Sequence, residues 1–318
     1  MAKGFDMLPS RRKWLKRVTI YSALAVALWL LASYAGVYWL TRRPHAVFAE
    51  PLPELSWGKA QSFRIATADR EELGAWFIDG RADRPLVLLL HGYRGCRRNC
   101  LPQAKIAADA GCPVLLISLR AHGDSTGDKC DVGYTSRKDV VAAVEWLRQR
   151  HPGLPVVVWG QSQGAAAAIF AASELNDRVA GYILECPYKD LRTAVWHRME
   201  FYLPLIVRNV AYAGATFVAP LILPEVDDIS PLKEASSIPK SARVLILAGE
   251  KDWRAPPDEA RAIHARVQAP SRLLVVPGAH HVRFTKADSE LYQEAVLQLI
   301  GECGQNLITK TRKNEITK

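Results

Sequence analysis

At 318 residues, with 49% hydrophobic residues and 23% charged ones, the chain is long enough to bury one large core plus a short appendage. Its formal charge of +10 lies at the ends: residues 1–43 hold eight Lys/Arg against Asp6, and residues 304–318 hold four against Glu315. The body between them is neutral, which excludes a nucleic-acid partner, since that requires a basic face on the folded domain.

After a basic segment, residues 1–17, comes an uncharged run at 18–40, rich in Ala, Leu, Val, Tyr and Trp. As a helix it measures about 34 Å, enough to cross a bilayer core. Trp14 lies at one end and Tyr34, Tyr38 and Trp39 near the other, as an aromatic belt requires. Six Lys/Arg precede the run and only Arg42 and Arg43 follow closely. This bias predicts a single-pass anchor, N-terminus in the cytoplasm and the bulk of the chain outside, on the periplasmic side of a bacterial inner membrane. A cleaved signal peptide is the rival reading, with Ser33 and Ala35 as small residues before a cut, and Ser10 to Lys16 resembles a twin-arginine signal.

Residues 41–58 read as a proline-bearing linker, and 59–303 as one domain followed by a polar basic tail at 304–318. Phe63 to Thr67 and Leu73 to Ile78 alternate and predict an edge hairpin. Leu86 to Leu90 is wholly apolar, as a central parallel strand is, and runs into His91-Gly92-Tyr93-Arg94-Gly95. A helix around Ala104 to Ala110 follows, then a strand at Pro113 to Ile117. Residues 137–150 carry Val140, Val144 and Leu147 on one helical face. Of the six cysteines, Cys96, Cys100, Cys112 and Cys130 cluster in sequence, so a disulfide among them, in any of three pairings, is open. A zinc site lacks ligand spacing. Cys186 reads as a core thiol.

Val156 to Trp159 is a buried strand, and the alanine-rich run after Gly164 a packed helix. Between them stands Gly160-Gln161-Ser162-Gln163-Gly164, a G-x-S-x-G turn that thrusts the serine out at a helix N-terminus. Later strands, Val179 to Leu184, Val244 to Gly249 and Leu273 to Val276, alternate with helices and predict an α/β fold with a doubly wound, mostly parallel sheet. Residues 188–241 interrupt that rhythm and predict a cap. Within it, Leu203 to Leu223 is nearly as apolar as the anchor. A second membrane crossing there would separate Ser162 from Asp252 and His281, so the stretch belongs to the domain, as a cap helix or a lid with Phe217 and Leu221 on its apolar face.

A serine hydroxyl needs a base, and the base an orienting acid. Asp252 follows the strand ending at Gly249, and Gly278-Ala279-His280-His281 follows the last strand. The order Ser162, Asp252, His281, with Ser162 in the elbow, resembles the alpha/beta-hydrolase superfamily from about residue 62 to 300, in particular membrane-anchored monoacylglycerol-lipase and serine-aminopeptidase-like members. The resemblance implies the alpha/beta-hydrolase fold, backbone N–H groups of Tyr93 and Gln163 as an oxyanion hole, and His281 rather than His280 as base. His91 and His122 are expected to be structural. Where the family usually has D-x-R-G-H-G, this chain has Ser118-Leu119-Arg120-Ala121-His122-Gly123. The implied activity is that of a serine hydrolase on a small-molecule or lipid ester, with Arg94, Arg97 and Arg98 near an anionic group and no metal or organic cofactor. A peptidase, a thioesterase or a catalytically idle, membrane-tethered binding module are the alternatives.

Overall fold

The computed structural model describes residues 8–43, 45–282 and 284–316; Lys3 and Asp6 of the basic segment, and the last two residues of the tail, lie outside them. Eight strands form one sheet: β1 (Ala60–Ala66), β2 (Glu72–Ile78), β3 (Leu86–Leu90), β4 (Val114–Ile117), β5 (Val156–Gln161), β6 (Gly181–Glu185), β7 (Arg243–Gly249) and β8 (Ser271–Val276). The order across the sheet is β1-β2-β4-β3-β5-β6-β7-β8. Only β2 runs against its neighbours; from β4 to β8 every pairing is parallel. The expected edge hairpin is β1–β2.

The helices are α1 (Leu8–Leu40), α2 (Leu101–Asp109), α3 (Arg137–Arg150), α4 (Gln163–Leu175), α5 (Leu191–Tyr202), α6 (Leu205–Ile222), α7 (Pro231–Glu234), α8 (Pro257–His264), α9 (Phe284–Ala287) and α10 (Ser289–Ile316). Helices cover both faces of the sheet, which is why its central strands are apolar along their whole length. Leu86, Leu88 and Leu90 join the core under α3, α4 and α8, while Val87 and Leu89 join the core under α2 and α10. A third, smaller core ties α5 and α6 to the domain through Phe170, Tyr188, Leu191, Val226 and Ile229. That is the expected cap, inserted between β6 and β7.

α1 is a candidate membrane-spanning helix, with most of its surface exposed. The chain after it is laid down on the domain. Thr41 O accepts from Cys130 N (2.8 Å), and Arg43 donates to Ser125 O (2.6 Å) and Gly127 O (2.7 Å). Glu50 is buried and pairs with the equally buried Arg97 (3.0 Å). The six cysteines are free, five of them buried, so no disulfide forms among Cys96, Cys100, Cys112 and Cys130. Each packs instead within the domain; Cys130, for instance, donates to Gln163 Oε1 (3.6 Å).

Two buried features hold the sheet to its surroundings. Glu185, at the end of β6, accepts from Trp159 Nε1 (2.6 Å), Gln161 Nε2 (3.0 Å) and the Tyr292 hydroxyl (2.5 Å) of α10. Burial pushes its carboxyl up, against the pull of those donors. Ala121, at the position where the family pattern has glycine, sits at φ 61°, in a region that costs a β-carbon about 1 kcal/mol. We expect Ala121→Gly to raise the denaturation free energy by about 0.5–1 kcal/mol. Glu185→Ala, which strands three buried donors, should lower it by about 3 kcal/mol or more. Both are checked by denaturant titration of the detergent-solubilised protein; a change below about 0.5 kcal/mol in either would refute the corresponding assignment.

Candidate active site

The turn between β5 and α4 is fixed by atoms that leave no room for side chains. A β-carbon on Gly160 would lie 2.4 Å from the Gly164 carbonyl, and one on Gly164 would lie 2.5 Å from Leu90 O. The chain therefore reverses in one residue, and Ser162 takes φ 50°, ψ −106° at the N-terminus of α4. A non-glycine residue in that region costs on the order of 1–3 kcal/mol and persists only where packing enforces it. Here the enforcement includes a bond from Ser162 N to Glu185 O of the neighbouring strand (2.7 Å).

Asp252 and His281 come from the loops after β7 and β8, at the same carboxyl edge. His281 Nδ1 lies 2.6 Å from Asp252 Oδ2. The other carboxylate oxygen, Oδ1, accepts from the N–H groups of Arg254 (2.9 Å) and Ala255 (3.1 Å). Burial pushes this carboxyl up, but the bonds from His281 and Ala255 outweigh it, and the group stays below the ordinary range and ionised. Of the two adjacent histidines, His280 is exposed, whereas the ring of His281 is turned to the acid. Val282, directly after it, is held at φ 48°, an unusual conformation for a β-branched residue. Asp190 and Asp227 are occupied elsewhere: Asp190 caps α5, and Asp227 pairs with Arg192.

Cys186 is a neighbour that the sequence reading placed only in the core. Its sulfur, Asp252 and His281 have ligating atoms within 4.8 Å of one another. This trio fits a metal poorly. Both carboxylate oxygens are already engaged by N–H donors, and burial together with the adjacent Asp252 pushes the Cys186 thiol far up, away from the thiolate that binds metals.

The loop after β3 adjoins the elbow: a β-carbon on Gly92 would lie 3.7 Å from that of Ser162. Among the described residues, no acceptor takes the backbone N–H of Tyr93 or of Gln163. His91 and His122 support this loop as neutral rings. His91 Nε2 accepts from Leu119 N (3.0 Å), and His122 Nε2 accepts from Arg94 N (3.3 Å). Burial lowers their pKa values to about 3 and about 4. Arg97 is not available to a ligand, because it is buried with Glu50 and Asp124. Arg98 bonds to Pro51 O (3.2 Å), and Arg94 lies over the Trp39 ring, 4.6 Å from its centre.

Beside this loop runs a groove of about 570 Å³, lined by α1, α5, α6 and Tyr93. Two cap features differ from the sequence expectation. Phe217 and Leu221 are 68% and 72% exposed and face away from the groove; Val210, Ala211 and Ala215 of α6 line it instead. Hydrophobicity marked the helix, but only packing decides which face turns inward. Arg198 of α5 also lines the groove. Its one hydrogen-bond partner among the described residues is Ala194 O of its own helix (2.7 Å), and burial together with Arg254 lowers its pKa from the ordinary arginine value. No local spacing could have marked it, since its role depends on the cap's placement.

Comparison with known proteins agrees with this fold. The sequence profile of the alpha/beta hydrolase fold matches residues 85–225. Human protein ABHD12B is 29% identical over 194 residues, which cover 58% of this chain and 50% of that protein. The lysophosphatidylserine lipase ABHD12 of Rattus norvegicus is 28% identical over 147 residues, 44% of this chain and 34% of the lipase. The chain thus spans half or less of the length of these two relatives. The esterase Pf2001 of Pyrococcus furiosus superposes with a TM-score of 0.65 at 25% identity, over 81% of this chain and 98% of the esterase. With the profile match, the strand order and the elbow in agreement, the domain has the alpha/beta-hydrolase fold.

Proposed function

We propose that this chain is a membrane-anchored serine hydrolase that cleaves carboxylic esters, lipid acyl esters among them, with Ser162 as nucleophile, His281 as base and Asp252 as the orienting acid. The observation that carries the reading is the 2.6 Å His281–Asp252 bond at the sheet edge that also bears the strained Ser162. Asp252 fixes Nδ1 of the imidazole as the protonated nitrogen and leaves Nε2 to accept a proton. His281 takes the Ser162 proton as the hydroxyl attacks the ester carbonyl. The resulting oxyanion is held by the N–H groups of Tyr93 and Gln163, the second at the positive end of α4. The tetrahedral adduct collapses, the alcohol leaves with the proton from His281, and an acyl group remains on Ser162. Water then repeats the cycle and restores the serine.

The esterase and lipase relatives support ester over amide cleavage, and the apolar groove at Tyr93 supports an apolar acyl group. Arg198, rather than the buried Arg97, is the cation suited to an anionic part of the substrate. The charge bias around α1 supports a domain outside the cytoplasm.

Two outcomes test this. Ser162→Ala should abolish fluorophosphonate labelling and lower ester turnover by about four powers of ten or more. His281→Ala should be as damaging while His280→Ala keeps most activity; labelling that survives in Ser162→Ala, or the reverse ranking of the histidines, would refute the assignment. For topology, a reporter enzyme that works only in an oxidising compartment should be active when fused after Ile300. Activity only from a cytosolic reporter would invert the orientation.

A further inference from the structure

A membrane anchor whose task is only to retain an enzyme needs no fixed contact with it. α1 is fixed at four places. Gly214 of α6 packs so closely that a β-carbon there would lie 2.1 Å from Ser33 Oγ and 2.9 Å from the Trp29 ring. Trp29 Nε1 donates to Val210 O (3.1 Å). At the far end of the helix, the Tyr93 hydroxyl donates to Leu40 O (2.7 Å), and Arg94 covers the Trp39 ring. Tyr93 and Arg94 belong to the loop beside Ser162, so the last turn of the anchor is bonded directly to that loop. Trp29, Ser33 and Val37 recur every fourth residue and are the half-buried stripe by which α1 meets α6.

The groove lies between these helices. Trp29, Gly36 and Leu40 of α1 form one wall, Val195 and Val210 of the cap form the other, and Tyr93 of the loop beside Ser162 also lines it. Its volume falls within the range of about 300–1,000 Å³ of pockets for small apolar ligands. From Trp29 to Leu40 the helix rises about 17 Å, roughly half of a bilayer core of about 30 Å. If α1 spans the bilayer, the part of α6 packed on its second half, around Val210 and Gly214, lies within one leaflet. The outward apolar side chains of α6, Leu205, Phe217 and Leu221, then meet lipid instead of water.

Resting on the ester-hydrolase reading, we propose that the membrane anchor is one wall of the acyl-chain site. A lipid ester enters sideways from the leaflet between α1 and α6. Its chain lies against the Trp29–Leu40 face, and its carbonyl reaches Ser162 past Tyr93. The enzyme thereby draws substrate from the phase in which it is dissolved, without passing the chain through water.

Gly36 provides the test, because nothing lies within 4 Å of the position a β-carbon would take there. Gly36→Phe starts a ring from a groove-lining position where its β-carbon meets no neighbour. Full-length enzyme in phosphatidylcholine nanodiscs is assayed with p-nitrophenyl dodecanoate and p-nitrophenyl acetate, with a fluorophosphonate probe reporting an intact Ser162. We expect the dodecanoate-to-acetate ratio of kcat/KM to fall about tenfold or more in Gly36→Phe. Leu31→Phe, on the lipid-facing side of the same helix, should leave the ratio unchanged. An unchanged ratio in a Gly36→Phe enzyme that the probe still labels would overturn the groove assignment alone, as would an equal fall in Leu31→Phe. Cleavage of neither ester by the unsubstituted protein would overturn the hydrolase reading and this one with it.

Discussion

The steric conflict between the elbow and β3 governs what this fold can present. Gly160 and Gly164 let α4 begin at contact distance from Leu90, and no larger side chain would fit at either position. That closeness forces the reversal at Ser162, and the reversal puts its side chain at the end of the sheet, at the N-terminus of a helix. The alanines of α4 extend the same logic, since small side chains keep the helix close to the strands along its length. The local strain at Ser162 is sustained by a core that would have to open to relieve it.

The same sheet edge collects the remaining parts. Parallel strands deliver their carboxyl ends to one side, so the loops after β3, β5, β7 and β8 meet without any contribution from the far edge. Strain recurs there, at Arg94, Ser162, Cys186 and Val282, all non-glycine residues at positive φ. The backbone N–H groups of Arg94, Ser162 and Cys186 are held by His122 Nε2, Glu185 O and Leu247 O. His91 and His122 hold the loop after β3 as neutral rings, and Glu185 ties β5 and β6 to α10 directly beneath the turn. Such bracing gives a side chain a fixed direction before a ligand arrives, which is what transition-state stabilisation by preset dipoles requires.

What the sequence made legible were features encoded over short distances. Leu86 to Leu90 and residues 137–150 declare their elements by composition and period, and the observed bounds agree. The elbow is legible because the constraint is local: two glycines, one serine, a strand before and a helix after. Asp252 and His281 could be found because each follows a strand end, and their pairing is topological. What escaped were relations between distant segments. The bond from Tyr93 to Leu40, the burial of Arg97 by Glu50 and Asp124, and the outward rotation of Phe217 and Leu221 each depend on how α1, the segment after it and the cap pack together. An arginine beside a motif looks the same in sequence whether it meets solvent or a buried carboxylate. The glycine missing at Ala121 was visible, but the cost of its absence required the backbone angle.

The proposed hydrolysis rests on covalent chemistry at a single atom, the Ser162 hydroxyl oxygen. Rapid acid quench during turnover of a p-nitrophenyl ester, followed by peptide mass mapping, observes that atom directly. The acyl-enzyme mechanism predicts an increment equal to the acyl group, confined to Ser162 and lost after the substrate is exhausted. An acyl group on another residue, or turnover with no acylated peptide when deacylation is rate-limiting, would contradict it.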